Sequence, residues 1–283
     1  MNAPGTSAAP PGAAVFPHVE GVTHRFVEAR GIRFHVAEAG DGPPLVLVHG
    51  WPQHWYMWRY QIPALAARFR VVCIDLRGFG WSDAPPGAYL KEDLADDVIA
   101  VIEALGYDRA RLAGHDWGGW TSFLVCLKRP DLIERFVALN IPHPFLRWNA
   151  HPSGIVSMWY QVLLATPVVG PFAVQSRQGF IPLSFGTSMR HRKLSADDVE
   201  IYARPLREPA RARATMRLYR SFIFGELWRT LAGKYHGQRL SVPTLILFGK
   251  DDVALSPRLL AGLDDHADDA TVELIDRAGH FVA

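Results

Sequence analysis

"GHDWGGW", residues 114–120, sets an aspartate between glycines at the junction of an apolar run and a helical one. Such a small-x-acid-x-small stretch suits a tight strand-to-helix turn, where glycines let the backbone pass close while Asp116 projects from the bend. Taken by itself, Asp116 also reads as a helix N-cap. The choice depends on what the rest of the chain places near it.

Working outward, short apolar runs alternate with helical ones. "PLVLVHG" ends at Gly50, "FRVVCIDL" at Leu76, "ARLAGHD" at Asp116, "ERFVALN" at Asn140, "PTLILFG" at Gly249 and "TVELIDRAG" at Gly279. Continuously apolar strands separated by helices such as 90–105 predict an α/β fold, with a mostly parallel central sheet covered by helices on both faces. Ligands bind at the carboxyl ends of strands in such sheets. His49, Asp116, Asp252 and His280 all stand at or just beyond these ends.

The alternation stops between Pro142 and about Leu240. Helix signals remain there, including Ser195 before "ADDVEIYA" and Pro209 at the start of the next helix, but no comparable strand follows. The expected organisation is a disordered tail over 1–20, a core over 21–141 and 241–283, and an inserted helical cap over 142–240.

Composition excludes several classes. The 283 residues are 49% hydrophobic, and 30 Lys plus Arg against 28 Asp plus Glu leave a formal charge of +2. No electrostatic footprint for nucleic acid is present. The Arg-rich "RPLREPARARATMRLYR", residues 204–220, reads as the solvated face of an amphipathic helix. Cys73 and Cys126 lack metal-type spacing and are expected to be buried free thiols, which fits a cytoplasmic location. The start, "MNAPGTSAAPPGAAVFPHVEG", has no basic region and is broken by prolines, unlike a signal peptide. The uncharged run 153–174 is long enough for a bilayer, but Gln161, Pro167, Gly170 and Pro171 interrupt it, so it is expected to line an apolar cavity instead of spanning a membrane.

"HGWP" at 49–52, "GKDDVALSP" at 249–257 and "AGH" at 278–280 complete the order nucleophile, acid, histidine. With these, the chain resembles the α/β-hydrolase fold and, within it, the epoxide hydrolases, from about Phe26 to His280. "HGWPQHWYMWR", "DLRGFGWSD" and "GHDWGGW" are similar to that family's oxyanion, loop and nucleophile segments. The cap segments "WYQVLLATP" and "MRLYRSF" match where the family places two tyrosines that bind the epoxide oxygen, which map onto Tyr160 and Tyr219. Tyr202 matches no such segment. The family spacing selects Asp252 over Asp251 as the acid. Some relatives take the acid from the preceding strand end, where this chain has Asn140, an amide. Asp75 and Asp83 are assigned to holding the supporting loop. The family also continues past the histidine into a closing helix, whereas this sequence stops at Ala283.

The resemblance implies catalytic Asp116, His280, Asp252, Tyr160 and Tyr219, with the Trp51 and Trp117 amides as an oxyanion hole. Trp159, Gln161 and Phe172 are expected to bind an apolar epoxide, and no cofactor or metal is implied. A carboxylate, with a reference pKa near ~4, is already ionised at neutral pH and suits attack at a saturated carbon. The expected product is a vicinal diol. Two alternatives stay open. A dehalogenase uses the same machinery with halide donors, for which Trp117 could serve, although Trp51 replaces the asparagine common in haloalkane dehalogenases and "DWGGW" lacks the arginine of fluoroacetate dehalogenases. A non-catalytic small-molecule receptor is the other, and a homodimer is left open.

Overall fold

The computed structural model describes residues 15–146, 159–176, 179–189 and 194–283. Eight strands form one sheet: β1 Thr23–Ala29, β2 Ile32–Ala39, β3 Pro44–Val48, β4 Arg70–Ile74, β5 Ala110–His115, β6 Ile133–Leu139, β7 Thr244–Gly249 and β8 Ala270–Ile275. Their order is β1-β2-β4-β3-β5-β6-β7-β8. From β4 onward every pairing is parallel, while β1 and β2 join antiparallel at one edge. The central strands bury nearly every residue, as in "LVLV" of β3, because helices cover both faces there, whereas the edge strand β8 is mostly exposed. The sequence pattern missed β1 and β2. Their polar residues, such as His24, Arg25, Arg33 and His35, interrupt the apolar runs of an edge hairpin and look like loop when only continuous apolar runs are sought.

Helices α1 Ile62–Ala66, α2 Lys91–Ala104 and α3 Trp117–Lys128 belong to this α/β part. Between β6 and β7 stand α4 Trp159–Leu164, α5 Val169–Gln175, α6 Phe180–Ser188, α7 Ala196–Leu206, α8 Pro209–Ser221 and α9 Leu227–Leu231. The Ser195 hydroxyl accepts the Asp198 amide and starts α7, and Pro209 opens α8, as the capping signals predict. A π-helical turn, Phe222–Glu226, follows α8. Nothing is described for 147–158, so the first part of the uncharged run lies outside the described residues. No helix among the described residues is long and apolar enough to cross a membrane.

Two expectations change. Phe16, within the expected tail, stacks on His24 and His35 with ring centroids 4.1 and 4.7 Å away, so packing begins before residue 21. The arginines of α8 are not simply solvated. Arg211 and Arg217 donate to the Ser82 and Pro85 carbonyls at 2.6 and 3.3 Å, stitching α8 to the loop after β4. Cys73 and Cys126 are buried and free.

Candidate active site

Asp116 directly follows β5 and precedes α3 with φ 49° and ψ −125°, a left-handed conformation that costs a non-glycine residue about 1–3 kcal/mol. Close packing enforces it. A Cβ on Gly118 would stand 2.3 Å from the His49 carbonyl oxygen, and one on Gly50 would stand 2.4 Å from the Asp116 Cβ. Backbone cannot yield there, so Gly118→Ala is expected to lower stability by about 3 kcal/mol or more. Thermal denaturation should show Tm falling by about 6–12 °C.

The side chain of Asp116 makes no N-cap hydrogen bond to α3. Instead its Oδ2 accepts the Trp51 amide at 3.0 Å, and the Trp117 amide also donates to the carboxylate. Burial raises the Asp116 pKa. The His280 charge and the two amides pull it back and Asp252 adds to it, leaving it at about 6. The positive end of α3 favours the anion as well.

His280 follows β8. Its Nε2 lies 3.7 Å from Asp116 Oδ1, and its Nδ1 lies 2.8 Å from Asp252 Oδ2. Burial alone would lower its pKa, but the Asp252 charge and hydrogen bond, with the Asp116 charge, push it up to about 9. Of the adjacent acids it is Asp252 that meets His280. Its Oδ1 accepts the Ala254 and Leu255 amides at 2.7 and 2.9 Å. Burial would raise the Asp252 pKa, yet His280, the Asn140 amide group and the Leu255 amide hold it below the usual carboxylate range.

Asn140 was passed over in the sequence because it cannot be the acid. Its Nδ2 nevertheless donates to Asp252 Oδ2 at 2.7 Å and to the Gly279 carbonyl at 3.2 Å. His115 Nε2 contacts the His280 carbonyl at 2.8 Å. Each of these residues directly follows or ends a strand, which is the only sequence signal that could have found them.

Asp75 is fully buried, and its carboxylate accepts the Trp55 and Trp81 amides at 2.8 and 3.0 Å and pairs with His35 at 2.7 Å. It thereby ties the loop carrying Trp51 to the loop after β4. Asp83 is half exposed; its carboxylate accepts the Arg33 amide and guanidinium at 3.3 and 3.5 Å, and its carbonyl accepts the Gly78 amide at 2.8 Å, closing the rim of that loop.

A cavity of about 260 Å³ opens over Asp116 and His280. Its wall includes Trp51, Trp159, Tyr160, Phe180, Tyr219 and Phe281. Tyr160, on α4, and Tyr219, on α8, are set edge to face at 6.2 Å, and burial raises the pKa of both phenols, so both stay protonated at neutral pH. Tyr202 lies elsewhere, its hydroxyl accepting Arg59 at 2.8 Å.

Two of the expected lining residues lie off the cavity wall. Phe172 is 72% exposed and absent from the cavity wall. Gln161 is buried behind Tyr160, its Nε2 donating to the Tyr160 hydroxyl at 3.3 Å. In short helices that are apolar all round, the sequence does not reveal which face is inward. Among the described residues no group of histidine, cysteine and acidic side chains is arranged to hold a metal ion.

The sheet order, the strained acid and the histidine beyond β8 define a class. Residues 43–283 match the α/β-hydrolase fold family, and the chain belongs to it. It is similar to the AB hydrolase superfamily protein YfhM of Bacillus subtilis, with 31% identity over 93% of each chain. It is also 31% identical to epoxide hydrolase 3 of Xenopus tropicalis, over 89% of this chain and 71% of that one. Among solved structures, the epoxide hydrolase CorEH superposes with a TM-score of 0.79 and 29% identity, covering 92% of this chain and 93% of that one.

Proposed function

We propose that this hydrolase opens an apolar epoxide to a vicinal diol through an ester on Asp116. The observation that carries the reading is the placement of two protonated phenols, Tyr160 and Tyr219, on the wall of the cavity that holds Asp116 and His280. The epoxide hydrolases among its relatives support the same chemistry.

The two Asp116 oxygens divide the work. Oδ2, held by the Trp51 amide, becomes the ester carbonyl oxygen, and Oδ1 attacks the ring carbon. As the ring C–O bond breaks, its electron pair moves onto oxygen, which takes a proton from a tyrosine hydroxyl. Burial makes these phenols weak acids but firm donors, and such assistance is typically worth ~10²- to 10⁴-fold. With Asp116 esterified, one of the charges holding His280 protonated is gone, so its pKa falls and its proton passes to the tyrosinate left by ring opening. Neutral His280, oriented by Asp252, then takes a proton from water as the water oxygen adds to the ester carbonyl. The Trp51 and Trp117 amides bind the oxyanion. Collapse expels the diol, whose departing oxygen takes the proton from His280, and the new carboxyl group returns its own proton to His280, restoring the carboxylate. In this reading α4–α9 form the cap expected over 142–240, since they bring Tyr160 and Tyr219 over the strand ends.

Tyr160→Phe and Tyr219→Phe are each expected to slow ring opening by ~10- to 100-fold, and the pair together by up to ~10⁴-fold. Stopped-flow quenching of the cavity tryptophans by substrate checks this.

Because Asp116 must be ionised to attack, kcat/KM should fall about tenfold per pH unit below about 6 and stay level above it. A limb centred near ~4, the ordinary carboxylate value, would contradict the role given to burial.

Against the dehalogenase reading, Trp117 is not on the cavity wall. Its ring packs on Tyr219 and Phe222, and the Trp51 indole is committed to Thr215 at 3.1 Å. Styrene oxide and a 1-bromoalkane separate the readings. Diol from the first without halide from the second supports the proposal; halide without diol makes the protein a dehalogenase; binding without either product makes it a receptor.

A further inference from the structure

Lys91 is the first residue of α2 and is completely buried, an expensive place for an ammonium group unless every proton finds a partner. Its Nζ donates to the Leu218 carbonyl at 2.5 Å, the Ser221 hydroxyl at 3.1 Å and the Tyr89 carbonyl at 3.5 Å. It also pairs with Glu226 Oε2 at 3.2 Å, while the Lys91 amide donates to Glu226 Oε1 at 2.8 Å. The same ammonium sits over the Trp117 ring, 4.7 Å from its centroid, and 5.3 Å from that of Phe222.

These contacts join three pieces that the proposed chemistry needs in register. Leu218 and Ser221 flank Tyr219 on α8, Trp117 directly follows Asp116, and Tyr89 leads into α2. The π-helical turn Phe222–Glu226 is where α8 departs from regular winding, and Glu226 at its end reaches back to the lysine. Ser221 closes the arrangement by donating to the Tyr89 carbonyl at 2.7 Å. Burial lowers the Lys91 pKa to about 8 in spite of Glu226. The charge is therefore costly to keep, and a methionine would fill the space more cheaply.

We infer that Lys91 is a positioning residue that locks α8, and with it the Tyr219 hydroxyl, against the turn carrying Asp116 and Trp117. This rests on the proposal that Tyr219 assists ring opening. Lys91 touches no reacting atom and contacts the Trp117 ring, not its amide, so it acts on ring opening through Tyr219 and leaves ester hydrolysis, which uses His280, water and the backbone amides of Trp51 and Trp117, largely alone.

The test is a double-mutant cycle of Lys91→Met with Tyr219→Phe, read as single-turnover rates of ester formation and ester hydrolysis on styrene oxide. The expected result is that Lys91→Met slows ester formation at least fivefold in the Tyr219 background and less than twofold in the Tyr219→Phe background. Ester hydrolysis should change less than twofold in both. Should Lys91→Met not fold, Ser221→Ala takes its place in the same cycle, with a threefold slowing expected only when Tyr219 is present. Equal slowing in both backgrounds, or unchanged ester formation, overturns the inference. Tyr219→Phe alone reports on the underlying reading: if it leaves ester formation unchanged, the role of Tyr219 falls first.

Discussion

Asp116→Asn is expected to lower kcat/KM on an epoxide by at least ~10⁴-fold while leaving the fold and ligand binding in place. The amide keeps the shape of the carboxylate and can still accept the Trp51 amide. It lacks the negative charge that attacks carbon, and it presents a donor group to His280. The variant also removes one of the charges that raise the His280 pKa, so a titration of that imidazole should move down from about 9. Substrate depletion by the purified variant, together with a thermal melt, checks the effect. Retained turnover would mean that the carboxylate does not act as nucleophile.

The second large effect is expected at His280. In His280→Gln the ester should form and then persist, because no group remains to take the proton from water. Steady-state turnover falls by ~10³-fold or more, and intact-protein mass spectrometry should show about one substrate per chain. The pH of that experiment matters. The His280 charge normally lowers the Asp116 pKa, so a neutral glutamine lets burial raise it above about 6. The trapping reaction should therefore be run near pH 8, where the carboxylate is still ionised. A variant that releases diol at the normal rate would show that His280 is not the base.

The strand ends were legible because strands covered on both faces are written as unbroken apolar runs, and "PLVLV" and "TLILFG" can be little else. The motif residues at those ends needed only chain order and family resemblance. What escaped the sequence depends on contacts between distant segments. The β1–β2 hairpin is interrupted by polar residues and carries His35 into the interior, where its partner Asp75 is 40 residues away. Asn140 is dismissed by its chemistry as an acid, and only its distance to Asp252 shows a donor at work. Phe172 looked like a pocket residue because "VGPFAV" is apolar on every side, and the rotation of a seven-residue helix is set by packing that the sequence does not record. Lys91 is one of several charged residues at the start of α2, and its burial is visible only once α8 lies across it.

Hydrolysis of an apolar epoxide by this route predicts where the oxygen of water goes. A single turnover of styrene oxide, with protein in excess and heavy-oxygen water, places water on the carbonyl carbon of the aspartyl ester. The account predicts one heavy oxygen in the peptide containing Asp116 and an unlabelled diol. A labelled diol with an unlabelled Asp116 peptide would mean that water attacks the epoxide directly, and the covalent route would be wrong.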